Sequence, residues 1–238
     1  PDLRAPYVGR AAFTHKGGLH VHAVQKLART YEHVSPALVG NQQVIVLSDM
    51  SGQSNILMKA AGMGLTIEKG GPVVRDLLEQ LKTLEKEGYE FEAADASFEL
   101  LIRRTLGQTT PLFDHVEFEC VFRRDTLRGY ENCLATVKLH TGGETILTVA
   151  EGDGPVNALD GALRKALVAR YPEIAQVQLT DYKVRIIDGH SGTAARTRVL
   201  IDSTDGTRDW STVGVSGNII DASWRALVDS IEYFLMKR

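Results

Sequence analysis

Cysteine is nearly missing from this chain: among 238 residues there are two, Cys120 and Cys133. So few exclude a disulfide scaffold and suggest a reducing compartment, the cytoplasm, although sequence alone leaves a bridge between the two open. No apolar run reaches the length of a membrane span and no signal peptide is visible, so a membrane protein is not expected. Excess charge is also lacking. A net charge of −3 and a pI near 6.2 give no reason to expect nucleic acid or an anionic membrane as a partner. The first residue is Pro1, not methionine, and the expectation is a piece of a longer protein. Hydrophobic residues at 43% and charged residues at 24% are those of a globular chain.

Glycine is plentiful, and the chain is organised around one glycine-bearing stretch, Glu151 to Asp160. An expected strand, Thr145 to Ala150, runs into Gly152 and Gly154, which let the backbone turn and approach a neighbour closely. Pro155 suits the first helical position, and Ala158, Leu159, Ala162, Leu163, Ala166 and Leu167 recur at helical spacing as a buried stripe. Unpaired N–H groups at that helix start can seat a small anion such as a carboxylate. The alternative is a tight strand-to-helix connection with no ligand.

The pattern occurs twice. Gly142 and Gly206 are 206 − 142 = 64 residues apart; Ala162-Leu163 matches Ala226-Leu227, and Phe118 matches Tyr182, at the same offset. Residues 116–170 and 180–236 therefore read as two strand-strand-strand-helix copies, an arrangement expected around a pseudo-twofold axis with a ligand-sized seam.

Ahead of the repeats the polar chemistry is densest between Gly9 and His22. His15, His20 and His22 invite a metal reading, since imidazole binds zinc and its relatives. Their spacing argues against it: on a helix His15 and His20 sit about 140° apart, and Gly17-Gly18 interrupts any regular helix there. Polar or active-site histidines at a loop-to-helix junction fit better. A short helix over Leu19–Arg29 and a strand over Gln43–Leu47 follow. Ser51, as N-cap, opens a helix to Ala61; Pro72 opens another closed by Gly88; Asp95, as N-cap, opens a third ending at Gly107. The hydrophobic period changes from 3.6 to 2 after 107–111, which places a domain boundary there.

The stretches AFTHKGGLHVHAV (12–24), YEHVSPALVGN (31–41), LSDMSGQSNILMKA (47–60), EGDGPVNALDGALRKAL (151–167), LTDYKVRI (179–186) and NIIDASWRALVDSIEY (218–233) resemble the C-terminal half of citramalate synthases, relatives of 2-isopropylmalate and homocitrate synthases. The resemblance covers nearly the whole chain. It implies an α+β architecture: linker subdomains at 1–50 and 51–111, the second helical, then a regulatory and dimerisation domain at 112–238 built of two β-β-β-α repeats with pseudo-twofold symmetry. The family's N-terminal TIM barrel, with its divalent metal, is absent from this stretch. No metal or other cofactor is expected here, and acetyl-CoA and pyruvate are partners only with the barrel.

The resemblance also assigns roles. His20 and Tyr31 fall on linker residues that assist the partner subunit's barrel, where a near-neutral histidine can orient a carbonyl. His15 and Lys16 match the motif as near-site residues, and His22 departs from it. Gly152, Gly154, Ala158, Leu179, Tyr182, Ile186 and Ala194 fall on the effector pocket, which in citramalate synthases takes isoleucine and in isopropylmalate synthases leucine. Without the resemblance, Leu179, Tyr182 and Ile186 read as strand core. Plain alternation puts Leu179 on one strand face and the other two on the opposite one, so a bend or bulge between them is required. The expected whole is a homodimeric regulatory part of an acyltransferase in isoleucine biosynthesis, inactive alone. A 2-isopropylmalate synthase region and a stand-alone amino-acid-sensing module are the alternatives.

Overall fold

Helical periodicity dominates the first part of the chain and strand alternation the second. The computed structural model describes residues 5–9, 11–15, 23–24, 26–45, 53–109, 111–127 and 129–238. One unit holds the described residues up to Lys86 together with Glu90–Glu92; the other holds Glu87–Tyr89 and Ala93–Arg238.

In the first unit β1 (Thr14–His15) pairs in parallel with β2 (Val44–Ile45). Helix α1 (Gln53–Gly62) buries Ile56 and Ala60. Helix α2 (Pro72–Glu87) buries Val74, Leu77 and Leu81 on one stripe, opening on proline as expected and closing at Gly88, whose φ is +103°. The expected cap Ser51 lies outside the described residues, as do residues 19–22 and 25 of the expected helix 19–29; residues 23, 24 and 26 are helical, and Ala28–Thr30 form a 3-10 turn.

The second unit opens with α3 (Asp95–Thr105), whose N-cap is Ala94 rather than the expected Asp95. Asp95 lies one position inside, where its charge still favours the helix start. Two antiparallel sheets follow: β3 (Asp114–Asp125), β4 (Tyr130–Thr141) and β5 (Glu144–Gly152), then β6 (Gln178–Ile186), β7 (Thr197–Thr204) and β8 (Asp209–Ser216). Helix α4 (Pro155–Leu167) lies on β4 and β5; helix α5 (Ile219–Met236) lies on β7 and β8. The α4 stripe is buried as expected, and each fully buried leucine in it contributes about 2 kcal/mol. Cys120 and Cys133 are free thiols, and burial pushes Cys120 up to about 11.

The duplication extends to single bonds. Thr148 donates to the Ala162 carbonyl at 2.7 Å and Thr212, 64 residues on, donates to the Ala226 carbonyl at 2.8 Å. Gly142 and Gly206 turn their hairpins at φ +58° and +84°. Register slips between His115 and Glu117 on β3, and between Leu179 and Asp181 on β6, again 64 apart. Each repeat thus carries a bulge at the same place.

One element breaks the symmetry. The edge of β8 is covered by α3, where Ser97 Oγ accepts the Val213 N–H at 3.0 Å and donates to Asp229 at 2.8 Å. Arg104 of α3 bonds Asp229 at 2.8 Å and Glu232 at 2.5 Å on α5. Val213 is 1% exposed, whereas its counterpart Val149 on β5 is 45% exposed. Because α3 packs on β8 and α5, the packing boundary falls near residue 90 while the hydrophobic period changes near 111.

Burial raises the carboxyl pKa of Asp229 and of Glu232, and Arg104 only partly offsets this. Acids raised in the folded state favour folding below the ordinary carboxylate range and lose that contribution as pH rises through their folded values. Arg104→Ala leaves both acids without their cation and should cost on the order of 3 kcal/mol, toward the low end for a buried pair because Arg104 is partly exposed. Urea unfolding at several pH values checks this, with the variant losing more stability than the parent as pH rises toward neutrality.

Candidate effector site

The glycines at the start of α4 act differently from one another. Gly152 ends β5 where the first turn of α4 packs on it: a Cβ there would lie 2.5 Å from the Ala158 nitrogen. Gly154, the N-cap, is extended (φ −159°, ψ 171°) with nothing within 4 Å of a built Cβ. Neither has positive φ, so the expected sharp glycine turn is instead a close approach at Gly152 and an ordinary extended residue at Gly154. The α4 start has no side-chain cap, whereas Gly154's counterpart Asn218 caps α5 by accepting the Ile220 N–H at 2.8 Å. Ala158 is wholly buried beneath this start.

The second group lies on β6. The bulge makes Thr180 the extra residue, so Leu179 opposes Ser203, Tyr182 opposes Ile201 and Ile186 opposes Thr197. Leu179, Tyr182 and Ile186 therefore share one face, which alternation without a bulge forbids. Val184, opposite Val199, joins them and was not foreseen, although its spacing from Tyr182 and Ile186 marks it. This face is apolar and open: Leu179 is 37% exposed, Val184 40% and Ile186 67%, because α5 lies over β7 and β8. Tyr182 is held in place. Ser223 gives its proton to the Ile219 carbonyl at 2.7 Å, so the Tyr182 hydroxyl donates to Ser223 Oγ at 2.7 Å. At about 3.3 Å per residue, Leu179 and Ile186 lie roughly 20 Å apart, too far for one amino acid to touch both. The face centres on Tyr182, Val184 and Ile186. Ala194 is exposed at the end of the 3-10 segment Gly189–Ala194 that follows β6.

Asp160 also escaped sequence reasoning. Its Oδ2 accepts from Arg164 at 2.8 Å, but Oδ1 is buried with no hydrogen-bond partner. Its counterpart at the 64-residue offset is Trp224, which packs on β3 with its ring 5.0 Å from Phe118, the counterpart of Tyr182.

In the first unit His20, Lys16 and His22 lie outside the described residues. His15 Nε2 is 2.9 Å from Glu32 Oε1, which also accepts from Gln43 at 2.8 Å. Tyr31, 49% exposed, sets its ring edgewise to His15 at 6.5 Å. Among the described residues no three His, Cys, Asp or Glu side chains gather to hold a metal ion.

Residues 92–235, more than half the chain, match the family described as LeuA allosteric (dimerisation) domain. The chain belongs to that family. Residues 7–88 match the homocitrate synthase post-HMGL domain-like family, and the two spans meet where the two packed units divide. The chain is 54% identical to an (R)-citramalate synthase of Synechocystis over 99% of its own length, and 50% identical to that of Aquifex aeolicus over 98%. It is 30% identical to a 2-isopropylmalate synthase of Methanocaldococcus jannaschii over 97%. It spans 44%, 44% and 43% of the length of these three enzymes, and the described residues contain no barrel. The resemblance read from the separated motifs is thus borne out, and so is the α+β fold of two repeated units.

Gly152→Ala should destabilise the chain by about 1–3 kcal/mol, since its methyl must displace the α4 backbone. Gly154→Ala should be close to neutral by comparison. Denaturant midpoints of the two variants measure the contrast.

Proposed function

We propose that this chain is the linker and allosteric regulatory part of a citramalate synthase, the enzyme that condenses acetyl-CoA with pyruvate and water to citramalate and CoA on the way to isoleucine. Isoleucine is the feedback effector. The observation that carries the reading is the open apolar β6 face, with Tyr182 fixed by Ser223 and its neighbours Val184 and Ile186 left uncovered. An amino acid's side chain suits that face. Its carboxylate suits the uncapped start of α4. Higher identity to citramalate synthases than to an isopropylmalate synthase favours isoleucine over leucine.

The remaining roles follow from the same reading. The chain forms a homodimer through residues 92–235 and works in the cytoplasm; among the described residues no helix is long and apolar enough to cross a membrane. His20 and Tyr31 assist chemistry that a barrel outside this stretch performs with its divalent metal. By itself the chain makes no citramalate.

Calorimetric titration with isoleucine, leucine and valine in parallel tests the effector. Isoleucine should bind most tightly, with a margin of about 1–3 kcal/mol set by pocket shape. A leucine preference would move the chain to an isopropylmalate synthase, and no binding would remove the effector reading. Tyr182→Ala should weaken binding about tenfold or more while far-ultraviolet circular dichroism stays unchanged. Light scattering at micromolar concentration should give the dimer mass, and acetyl-CoA with pyruvate should yield no product.

A further inference from the structure

Within the second unit, α3 and the last turns of α5 leave a cavity of about 220 Å³ between them. Leu100 and Arg104 lie one turn apart on α3, and Glu232, Leu235 and Met236 share a face of α5. Helical spacing thus brings all five to the same space. The chain beyond α3 completes the wall with Leu112. That wall is fixed at both ends. Gly107 (φ +64°) closes α3, its N–H donating to the Arg104 carbonyl at 3.0 Å and the Gln108 N–H to the Arg103 carbonyl at 2.9 Å. The Leu112 carbonyl accepts the Thr141 hydroxyl at 3.1 Å and the Tyr171 hydroxyl at 3.2 Å.

The lining sets the chemistry. Leu100, Leu112, Leu235 and Met236 are apolar, and about 220 Å³ exceeds the roughly 150 Å³ of a core cavity that takes benzene. A six-membered ring with a short arm therefore fits. Charge comes from Arg104 and Glu232. Arg104 uses Nη2 for both of its acids, Asp229 at 2.8 Å and Glu232 Oε2 at 2.5 Å. Glu232 Oε1 has no hydrogen-bond partner among the described residues, although the residue is 9% exposed. Asp229, Glu232 and the nearby Asp114 stand against this one guanidinium, and Lys237 and Arg238, next along the chain, are committed to Glu99 and Glu173. Desolvation raises the Glu232 carboxyl, Asp229 and Asp114 push it the same way, and Arg104 offsets this only in part. A cation at Oε1 opposes all three raising effects, whereas an anion would add to the excess of negative charge.

We propose that this cavity binds a small organic cation, a primary amine on a compact apolar body, whose ammonium pairs with Glu232 Oε1. The site shares no residue with the β6 face or the start of α4, and the proposal does not rest on the effector reading.

Methyl NMR on the 238-residue chain tests it, with 2-phenylethylamine, 2-phenylethanol and phenylacetate as probes of one body and three head charges. The amine should shift the methyl signals of Leu100, Leu112, Leu235 and Met236 with a Kd of about 1 mM or below, at least about tenfold tighter than the alcohol. Phenylacetate should bind most weakly. Glu232→Gln keeps an acceptor for Arg104 and removes the charge, so amine and alcohol should then bind within about threefold of each other. Met236→Trp, at a half-buried position, fills the cavity and should abolish the shifts with every probe. The three-probe comparison on the unmodified chain decides the head-group charge whether or not either variant folds. Absence of shifts at about 10 mM amine, a preference for phenylacetate, or an amine preference that survives Glu232→Gln overturns the site.

Discussion

Each helix of the repeated unit is pinned to its sheet by a threonine that donates into the helix backbone, Thr148 to Ala162 and Thr212 to Ala226. A bond of that kind needs the helix axis close to the sheet, and closeness needs small residues at the contact. Gly161 meets Ala150 in the first repeat, where a built Cβ is 3.2 Å away; in the second, Gly214 lies where a Cβ would be 2.0 Å from the Ala222 carbonyl. The small residue is on the helix in one copy and on the strand in the other. The constraint is the distance between layers, and either side can satisfy it.

Because the layers are fixed alike in both copies, their differences stand out as local additions. α3 covers the β8 edge, giving Val213 a hydrogen-bond partner through Ser97, while the β5 edge keeps Val149 exposed. Trp224 lies over the inward face of β3, but its counterpart Asp160 is a carboxylate with an unpaired buried oxygen. Asn218 closes one helix start and Gly154 leaves the other uncapped. The three differences share a sense: what is covered, filled or capped in one repeat is left open in the other.

The Arg104, Asp229 and Glu232 cluster belongs to the scaffold. Two carboxylates and one guanidinium are anchored between α3 and α5, and desolvation raises both acids. A buried ion group of this sort holds geometry more than it adds stability. It fixes α3 on α5, and with it the cover over β8.

Much of this was legible in the sequence. The α4 stripe from Ala158 to Leu167, the opening of α2 at Pro72 and its end at Gly88, and the 64-residue repeat all follow from local rules, since periodicity and caps act within a few residues. The need for a bend or bulge between Leu179 and Tyr182 was also readable once the family resemblance put both residues in one pocket, because a period of two sets them on opposite faces. The membership of α3 in the second unit was not, as its amphipathic pattern says that one face is buried but not against what. Nor were the roles of Gly152, Val184, Ser223 and Asp160. A glycine spared for the Ala158 nitrogen, a serine whose proton is already committed and a carboxylate oxygen left without a donor are facts of three-dimensional distance, which hydrophobic periodicity does not carry. Local sequence determined which elements form and which faces they bury; only the tertiary packing decided which surfaces stay open, since openness depends on what other elements fail to cover.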